Sequence, residues 1–188
     1  MKTSDKKNEI LDCAQSLIQK RGYNGFSYAD ISNTVGIRKA SIHHHFPTKV
    51  DLTVAIIERY GEIFTTCLLN INSNKNWMDK IRLYAQVYNQ VLGEDKLCLC
   101  GMLASDMETL PENIKKAVRG FLSNNADWLA EVLAGNENSQ LTKKRSLNIA
   151  WQIINQLQGG ILMARILENP AIFYDSCEEL MLQLKHLS

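Results

Sequence analysis

Apolar residues recur at intervals of three and four along most of this chain, and little interrupts the pattern. Only three prolines and ten glycines occur in 188 residues, and no useful run alternates apolar with polar side chains. Intervals of three and four are the period of an α-helix, whereas alternation is that of a strand. The sequence therefore predicts an all-α protein of about nine helices.

The first fifty residues carry clear signals for three short segments of helix. Gly22 follows an apolar stripe and predicts the end of a first helix. The pair Ser27 and Asp30 has the Ser-x-x-Asp spacing of a helix start, and Gly36 predicts the end of that second helix. A third helix is expected from about residue 38 to residue 45.

Longer helices are expected after the "FPTK" break at residues 46–49. Their expected ranges are about 48–70, 77–93, 102–110, 111–135, 141–168 and 170–187. We accordingly expect an N-terminal three-helix domain over 1–50 and a larger helical domain over 51–188.

Charge is distributed unevenly between these two parts. The whole chain has a formal net charge of +1, which by itself names no partner. Residues 1–50 hold eight basic and four acidic side chains, a balance of +4, whereas the remainder holds thirteen and sixteen, a balance of −3. The N-terminal part is thus the candidate binder of a polyanion.

The cysteines and the hydropathy bear on location. Five scattered cysteines and a polar N-terminus, "MKTSDKKNE", favour a reduced, cytoplasmic setting. No apolar run approaches the roughly 20 residues of a membrane-spanning helix, so we expect no membrane contact.

The second and third helices have the pattern of a helix-turn-helix. Apolar positions that would hold their angle are Ile31, Val35, Ile37, Ile42 and Phe46. The outward side of the third helix would then present Arg38, Lys39, Ser41, His43, His44 and His45. Each of these side chains can hydrogen-bond to a base edge or a phosphate, and none is acidic, so the face suits the DNA major groove.

The stretch "GFSYADISNTVGIRKASIHHHFPTKVDL", residues 25–52, resembles the DNA-binding signature of the TetR/AcrR family of bacterial repressors. The resemblance covers about residues 7 to 55 and is specific. It implies a helix-turn-helix domain, a helical domain that binds a small-molecule inducer, and a homodimer. It also implies double-stranded operator DNA as the partner, from which the inducer releases the protein.

The resemblance also implies roles for individual residues. The DNA-contacting set is Ser27, Tyr28, Arg38, Lys39, Ser41, His43, His44, His45, Thr48 and Lys49. Within it, Lys39 and Ser41 are expected to reach bases, and Lys49 to grip a phosphate. His43 departs from the family pattern, where a tyrosine is usual. Either its phosphate contact persists with some pH dependence, or another residue supplies that contact.

Three adjacent histidines also raise the question of a metal site. Neighbouring residues on a helix point about 100 degrees apart, so His43, His44 and His45 cannot converge on one ion. We expect one of them to turn inward and two to face phosphates. The sequence predicts no metal site and no cofactor.

Apolar residues occupy two sides of the helix expected at 141–168, and the last helix carries a seam of the kind found in bundles. The second side predicts a partner subunit, while a central helix buried within one subunit is the alternative. The expected dimer contacts are Ile153, Gly160, Met163, Leu167, Cys177, Leu180 and Leu184.

An aromatic-walled pocket with a few polar groups would suit a small organic molecule. The candidate residues for it are Phe64, Tyr84, Tyr88, Met102, Met107, Phe121, Asn125, Trp128 and Trp151. Asn125 stands out, because it interrupts an apolar stripe.

Two further functions remain open. Cys98 and Cys100 are either small buried hydrophobes or a thiol switch whose pKa Lys96 lowers, in which case the protein would sense oxidants or electrophiles. A helical protein-interaction module without DNA binding is an alternative from a different class. An enzyme is not expected, because the chain has no Gly-rich phosphate loop, Gly-x-Ser-x-Gly or His-Glu-x-x-His.

Overall fold

The computed structural model describes residues 2–71, 75–94, 96–135 and 141–185. These residues form nine helices and no strands. The helices are α1 Lys2–Arg21, α2 Tyr28–Val35, α3 Lys39–His45, α4 Lys49–Ile71, α5 Trp77–Gly93, α6 Leu99–Ser105, α7 Glu112–Ala134, α8 Lys143–Ile166 and α9 Ala171–Lys185. The expectation of an all-α fold is confirmed.

The chain divides into two compact units. The first unit holds Met1–Ile63 and Cys98–Phe121, and the second holds Phe64–Leu97 and Leu122–Ser188. The first unit therefore contains α1 to α3 and α6 together with parts of α4 and α7, and the second contains α5, α8 and α9 with the remaining parts. The expected division into domains 1–50 and 51–188 remains a prediction.

In the first unit, α1 packs against both α2 and α6, and α2 packs against α3. Its core includes Ile10, Ala14 and Ile18 of α1, all fully buried. α1 ends where Gly22 takes a φ of 77°, a conformation that favours glycine. The sequence signal for this helix end was therefore correct.

The second unit is built around α8 and α9, and α5 packs against both of them. Phe173 and Leu180 of α9 are buried, as are Ile153 and Ile161 of α8. A Cβ on Gly160 would approach the Phe173 ring to 3.3 Å, so a glycine here allows α9 to lie close to α8.

Two boundaries differ from expectation. α6 begins at Leu99 and ends at Ser105, earlier than the predicted 102–110. Leu99, Cys100 and Leu103 are all buried, and a helix apolar on several sides gives no amphipathic stripe to detect. The predicted end of the last helix at residue 187 lies outside the described residues. No helix within those residues is both long and apolar enough to cross a membrane.

Candidate nucleic-acid interface

The start of α2 is fixed by reciprocal hydrogen bonds. The Ser27 hydroxyl accepts from the Ala29 N–H at 3.2 Å, and the Asp30 carboxylate accepts from the Ser27 N–H at 2.7 Å. These bonds form a capping box, as the Ser-x-x-Asp spacing predicted. The Ser27 hydroxyl also donates to the Asp30 carboxylate at 2.6 Å. This bond and the one from the Ser27 N–H lower the pKa of the Asp30 carboxyl, because they favour its charged form.

The turn between α2 and α3 is equally well defined. Gly36 has a φ of 69° and donates its N–H to the Ser32 carbonyl at 3.0 Å. The Ser32 hydroxyl donates to the Ile37 carbonyl at 2.6 Å, which ties the end of α2 to the chain entering α3. The turn therefore sets the direction of α3 from α2.

Apolar contacts hold this helix pair from the inside. Ile31, Ile42 and Phe46 are buried, and Val35 and Ile37 are half-buried. The Tyr28 hydroxyl donates to the Phe46 carbonyl at 2.9 Å, which links the start of α2 to the end of α3. Burial, with a smaller effect of the Asp51 charge, raises the pKa of Tyr28 to about 12, so this phenol stays neutral.

The outward side of α3 is polar and basic. Arg38, Lys39, Ser41, His43 and His44 are exposed. Thr48 and Ser27 are also exposed, whereas Tyr28 and Lys49 are half-buried. The geometry thus brings most of the expected DNA-contacting side chains onto the surface around one short helix.

The three histidines have different surroundings. His43 is exposed, its ring centroid lies 4.7 Å from that of Tyr28, and its Nδ1 lies 3.1 Å from the Pro47 carbonyl oxygen. His45 is half-buried, with its ring 6.4 Å from that of Phe46, and is the histidine that turns inward. Among the described residues, no cluster of three or more His, Cys, Asp or Glu could hold a metal ion.

Lys49 makes contacts that the sequence did not indicate. Its ammonium donates to the Phe26 carbonyl at 2.6 Å and lies 4.5 Å and 4.1 Å from the ring centroids of Tyr23 and Phe26. Burial lowers the pKa of Lys49, against the opposing effect of the Asp106 charge. This ammonium therefore stabilises the turn before α2, whatever further contact it makes with DNA.

Asp106, which the sequence analysis missed, connects the end of α6 to the turn after α1. Its carboxylate accepts from the Tyr23 N–H at 2.7 Å and from the Asn24 amide at 3.3 Å, and Asn24 also donates to the Thr109 hydroxyl at 2.8 Å. A Cβ on Gly22 would lie 2.8 Å from the same carboxylate, so only glycine leaves room for it. The partners are separated by more than eighty residues, and no local sequence signal predicts them.

The two thiols do not have the surroundings expected of a switch. Cys98 and Cys100 are both buried, and burial raises the pKa of Cys100 well above its usual value. Lys96, expected to lower a cysteine pKa, pairs with Glu94 at 2.5 Å. That expectation is wrong for Cys100, because desolvation disfavours the thiolate.

Four of the nine candidate ligand contacts form one aromatic cluster, consisting of Phe64, Tyr84, Tyr88 and Trp128. The rings of Tyr84 and Trp128 stack with centroids 5.7 Å apart, and Phe64 meets Tyr84 edge-on at 5.7 Å. The Tyr84 and Tyr88 hydroxyls lie 3.4 Å apart. The buried indole N–H of Trp128 has no hydrogen-bond partner within the described part of the chain.

The other five candidates lie elsewhere. Asn125 is buried and Trp151 is half-buried in the second unit. Met102, Met107 and Phe121 belong to the first unit, where the ring of Phe121 packs 5.4 Å from that of Tyr60. Sequence reasoning missed Gln158, whose amide donates to the Tyr88 hydroxyl at 3.4 Å.

The seven candidate dimer contacts fall into two groups. Ile153, Leu180 and Leu184 are buried within the chain, and Gly160 and Cys177 are half-buried. Met163 and Leu167 are exposed near the end of α8, next to exposed Leu162 and Ile166, which the sequence analysis did not select. Ile153, Leu180 and Leu184 also line a groove of about 320 Å³ between α8 and α9.

Comparisons with known proteins agree with this geometry. The family profile described as "Bacterial regulatory proteins, tetR family" matches residues 10–56. The crystal structure of a TetR transcriptional regulator from Legionella pneumophila is 35% identical and superposes with a TM-score of 0.87, covering 94% of this chain and 96% of that one. A TetR-family regulator from Agrobacterium tumefaciens is 31% identical with a TM-score of 0.90, covering 96% and 98%.

A curated relative adds information about the direction of regulation. The negative transcriptional regulator IcaR of the biofilm operon icaADBC in Staphylococcus epidermidis is 28% identical over 109 residues. The match covers 58% of this chain and 59% of that protein.

Proposed function

The chain belongs to the TetR family of bacterial regulatory proteins, and we propose that within this family it is a homodimeric repressor released from DNA by a small molecule. Members of the family are transcriptional regulators and not enzymes. The operator in this proposal is palindromic, because a two-fold symmetric dimer presents two identical recognition helices, one from each subunit. A cytoplasmic location, where the chromosome lies, is part of the same proposal.

The exposed basic side of α3 carries this proposal. The capping box of α2 and the Gly36 turn hold α3 at a fixed angle, and Arg38 and Lys39 stand on its outer side. A helix presented in this way can enter a major groove, where Arg and Lys side chains reach guanine and Ser reaches several bases. Two such helices would contact successive major grooves about 34 to 36 Å apart.

Repression rather than activation is supported by the similarity to IcaR, which is a negative regulator. A repressor acts by occupying its operator, and the exposed polar face of α3 suits that contact.

Dimerisation is supported by the exposed apolar end of α8. Leu162, Met163, Ile166 and Leu167 are all at least 40% exposed and lie within two helical turns. A contiguous apolar patch of this kind is unusual on the surface of a monomer and typical of an interface between subunits. The groove between α8 and α9 lies on the same helix pair and has a mixed lining, with Ile153, Leu180 and Leu184 beside Arg145 and three glutamines.

A ligand site in the second unit is supported by the aromatic cluster. The indole N–H of Trp128 is buried without a partner in the described chain, and a buried donor without an acceptor is costly. Its cluster neighbours contribute aromatic rings and hydroxyls and no charge. The inducer we propose is therefore a small, uncharged organic molecule with a hydrogen-bond acceptor for Trp128.

The contacts of Asp106 suggest how a change in α6 would reach the DNA-binding helices. Its carboxylate holds the backbone of Tyr23 and the side chain of Asn24, three to four residues before the cap of α2. Because these contacts lie within one compact unit, a displacement of α6 would strain the start of α2 and hence the angle of α3. The inducer must bind the displaced form more tightly for release to follow.

The test of this function compares DNA binding by Lys39→Ala and the unaltered protein. Lys39 is exposed on α3, and in this proposal it reaches bases, so its loss should weaken binding to a selected operator by about 1 to 3 kcal/mol. Binding to random duplex should weaken less, since that binding depends on phosphates. Fluorescence anisotropy with both duplexes over a salt series measures both quantities.

Lys116→Ala is the matched control, because Lys116 is also exposed but lies on α7. It should leave both affinities unchanged. Binding to DNA should also weaken steeply with salt, whereas an apolar contact with a protein partner would not. Absence of binding to any duplex at low salt would leave only the interaction-module alternative.

A further inference from the structure

Building on the proposed DNA-binding function, we propose that His43 contacts a DNA phosphate only as an imidazolium, so that operator binding takes up a proton at this residue. The inference concerns a binding residue on the rim of the recognition helix. The observations behind it are the contact that Nδ1 of His43 makes with the Pro47 carbonyl and the different surroundings of the two histidines that follow.

The Pro47 carbonyl determines which nitrogen of neutral His43 carries the proton. Nδ1 lies 3.1 Å from that oxygen, and a carbonyl oxygen can only accept a hydrogen bond. Nδ1 must therefore donate, which places the single proton of the neutral ring on Nδ1. Contact with the Tyr28 ring, 4.7 Å away, supports the ring in this orientation.

Neutral His43 consequently has a hydrogen-bond acceptor, and not a donor, available for DNA. With the proton held on Nδ1, Nε2 carries a lone pair, which repels the oxygens of a phosphate. Protonation at Nε2 gives a second N–H and a positive charge without disturbing the bond to Pro47. A charge-assisted hydrogen bond from imidazolium to phosphate then becomes available on the exposed side of α3.

Several titratable side chains near His43 are already engaged in other contacts and do not supply the charge in place of its proton. On its own helix, Lys39 lies one turn before His43, and His44 and His45 follow it. Titratable side chains with contacts around this helix pair include Lys7 of α1, Tyr28 and Asp30 of α2, and Lys49 and Asp51 of α4. Tyr28 stays neutral, since its pKa is raised to about 12. Lys7 lies over the Phe46 ring, Asp30 is bonded to Ser27, Lys49 to the Phe26 carbonyl, and Asp51 to Thr48.

The neighbouring histidines lack this constraint. His44 is exposed, and its ring meets that of His45 with centroids 5.6 Å apart. Within the part of the chain that the structure describes, no carbonyl hydrogen-bonds to a ring nitrogen of His44, so a neutral His44 can carry its proton on Nε2 and donate. His44→Gln therefore controls for the pH dependence only: it removes an imidazole one residue away on the same helix, and its affinity is free to change because His44 is itself an expected DNA contact.

The experiment measures operator affinity between about pH 6 and about pH 8 at constant ionic strength. The DNA is a duplex selected from a random library by the unaltered protein at the lower pH. If binding takes up one proton, the association constant falls by as much as about tenfold for each pH unit of increase. The variants are His43→Phe, which keeps a ring beside Tyr28, His43→Tyr, whose hydroxyl donates at every pH used, and His44→Gln.

We expect the affinity of the unaltered protein to fall across this range by about tenfold or more, and that of His44→Gln to fall in parallel. His43→Phe should bind weakly and with little dependence on pH. His43→Tyr should bind more tightly than His43→Phe, again with little dependence on pH. Calorimetry in two buffers of different ionisation enthalpy should detect proton uptake that both His43 variants lose.

Two outcomes would overturn the inference and can be told apart from failure of the proposed function. If all variants bind the duplex and His43→Phe retains the full pH dependence, the proton is taken up elsewhere. If affinity does not vary with pH in the unaltered protein, no proton is taken up. Failure to bind DNA at every pH would instead contradict the proposed function itself, and circular dichroism of each variant verifies its fold.

Discussion

The helix pairs α2–α3 and α8–α9 are held together in different ways. α2 and α3 have eight and seven residues, and each buries one side chain fully, Ile31 and Ile42. They depend on caps, a glycine turn and the Tyr28 hydrogen bond for their geometry. α8 and α9 have 24 and 15 residues and bury a long apolar seam between them. The short pair has a small apolar core and relies in addition on caps, a turn and a side-chain hydrogen bond, whereas the long pair is held mainly by packing.

The exposed faces of the two pairs also differ in polarity. α3 exposes Arg38 and Lys39, whereas α8 exposes Ile166 and Leu167. A polar helix face remains hydrated until a charged partner replaces the water, while an apolar face is stabilised when another apolar surface covers it. This difference agrees with the proposed nucleic-acid partner for α2–α3 and the proposed second subunit for α8–α9, and three predictions test it.

The largest effect is expected from Phe173→Ala in the packed pair. Phe173 is 2% exposed and lies against α8 at Gly160, so truncation leaves a cavity between the two helices. The free energy of unfolding should fall by about 3 to 5 kcal/mol, as measured by urea denaturation. The exposed Glu178 on the same helix supplies the control, since Glu178→Ala should change it by less than about 0.5 kcal/mol. Equal losses from both variants would refute a seam held by packing.

The sequence predicted the local features of α2 and α3 better than the contacts between distant residues. Ser27, Asp30 and Gly36 were identified correctly because a cap and a turn depend on residues three or four positions apart. The start of α6 was not, because its residues are buried on several sides. Nor did any pattern indicate that Asp106 would bind Tyr23, or that Lys49 would lie against Phe26, since the fold alone brings these residues together.

The α8–α9 surface shows a further limit of pattern reasoning. The two apolar sides of α8 were recognised, but the sequence could not tell which side α9 covers. Ile153 and Gly160 face that helix within the chain, while Met163 and Leu167 remain exposed. Periodicity reports that a face is apolar, whereas only the fold reports what already covers it.

An intermediate effect is expected from Ile166→Asp on subunit association. Ile166 is 61% exposed at the end of α8, so the substitution should spare the folded subunit. Burying a carboxylate where an isoleucine would pack should weaken the dimer by about 2 kcal/mol or more, roughly thirtyfold in Kd. Analytical ultracentrifugation over a dilution series measures this change.

Leu69→Asp is matched to this variant, because Leu69 is 64% exposed but lies on α4. It should leave association unchanged. If both variants dissociate to the same extent, or neither does, the apolar end of α8 is not the contact between subunits.

The smallest effect is expected from Asp30→Asn in the polar pair, and it should depend on pH. Hydrogen bonds from Ser27 hold the pKa of the Asp30 carboxyl below its usual 3.8, so the folded state favours the charged form. A depressed pKa contributes stability that is complete above 3.8 and is lost as the pH falls through the folded value. The variant should thus be slightly less stable than the unaltered protein near neutrality and equal to it in acid.

Urea denaturation of both proteins at a series of pH values tests this, with Ser27→Ala as the companion variant. Removing the Ser27 hydroxyl takes away one of the bonds that Asp30 accepts, so the pH dependence assigned to Asp30 should diminish. We expect this pH dependence at α2 because a helix of eight residues is too short to be stable by its own propensity. Its stability therefore depends on the capping residues at its ends. A difference between Asp30→Asn and the unaltered protein that stays constant down to the lowest pH would mean that the carboxylate is not what fixes this end. The angle of α3 would then depend on the buried contacts of Ile31 and Ile42, as α9 depends on its own seam.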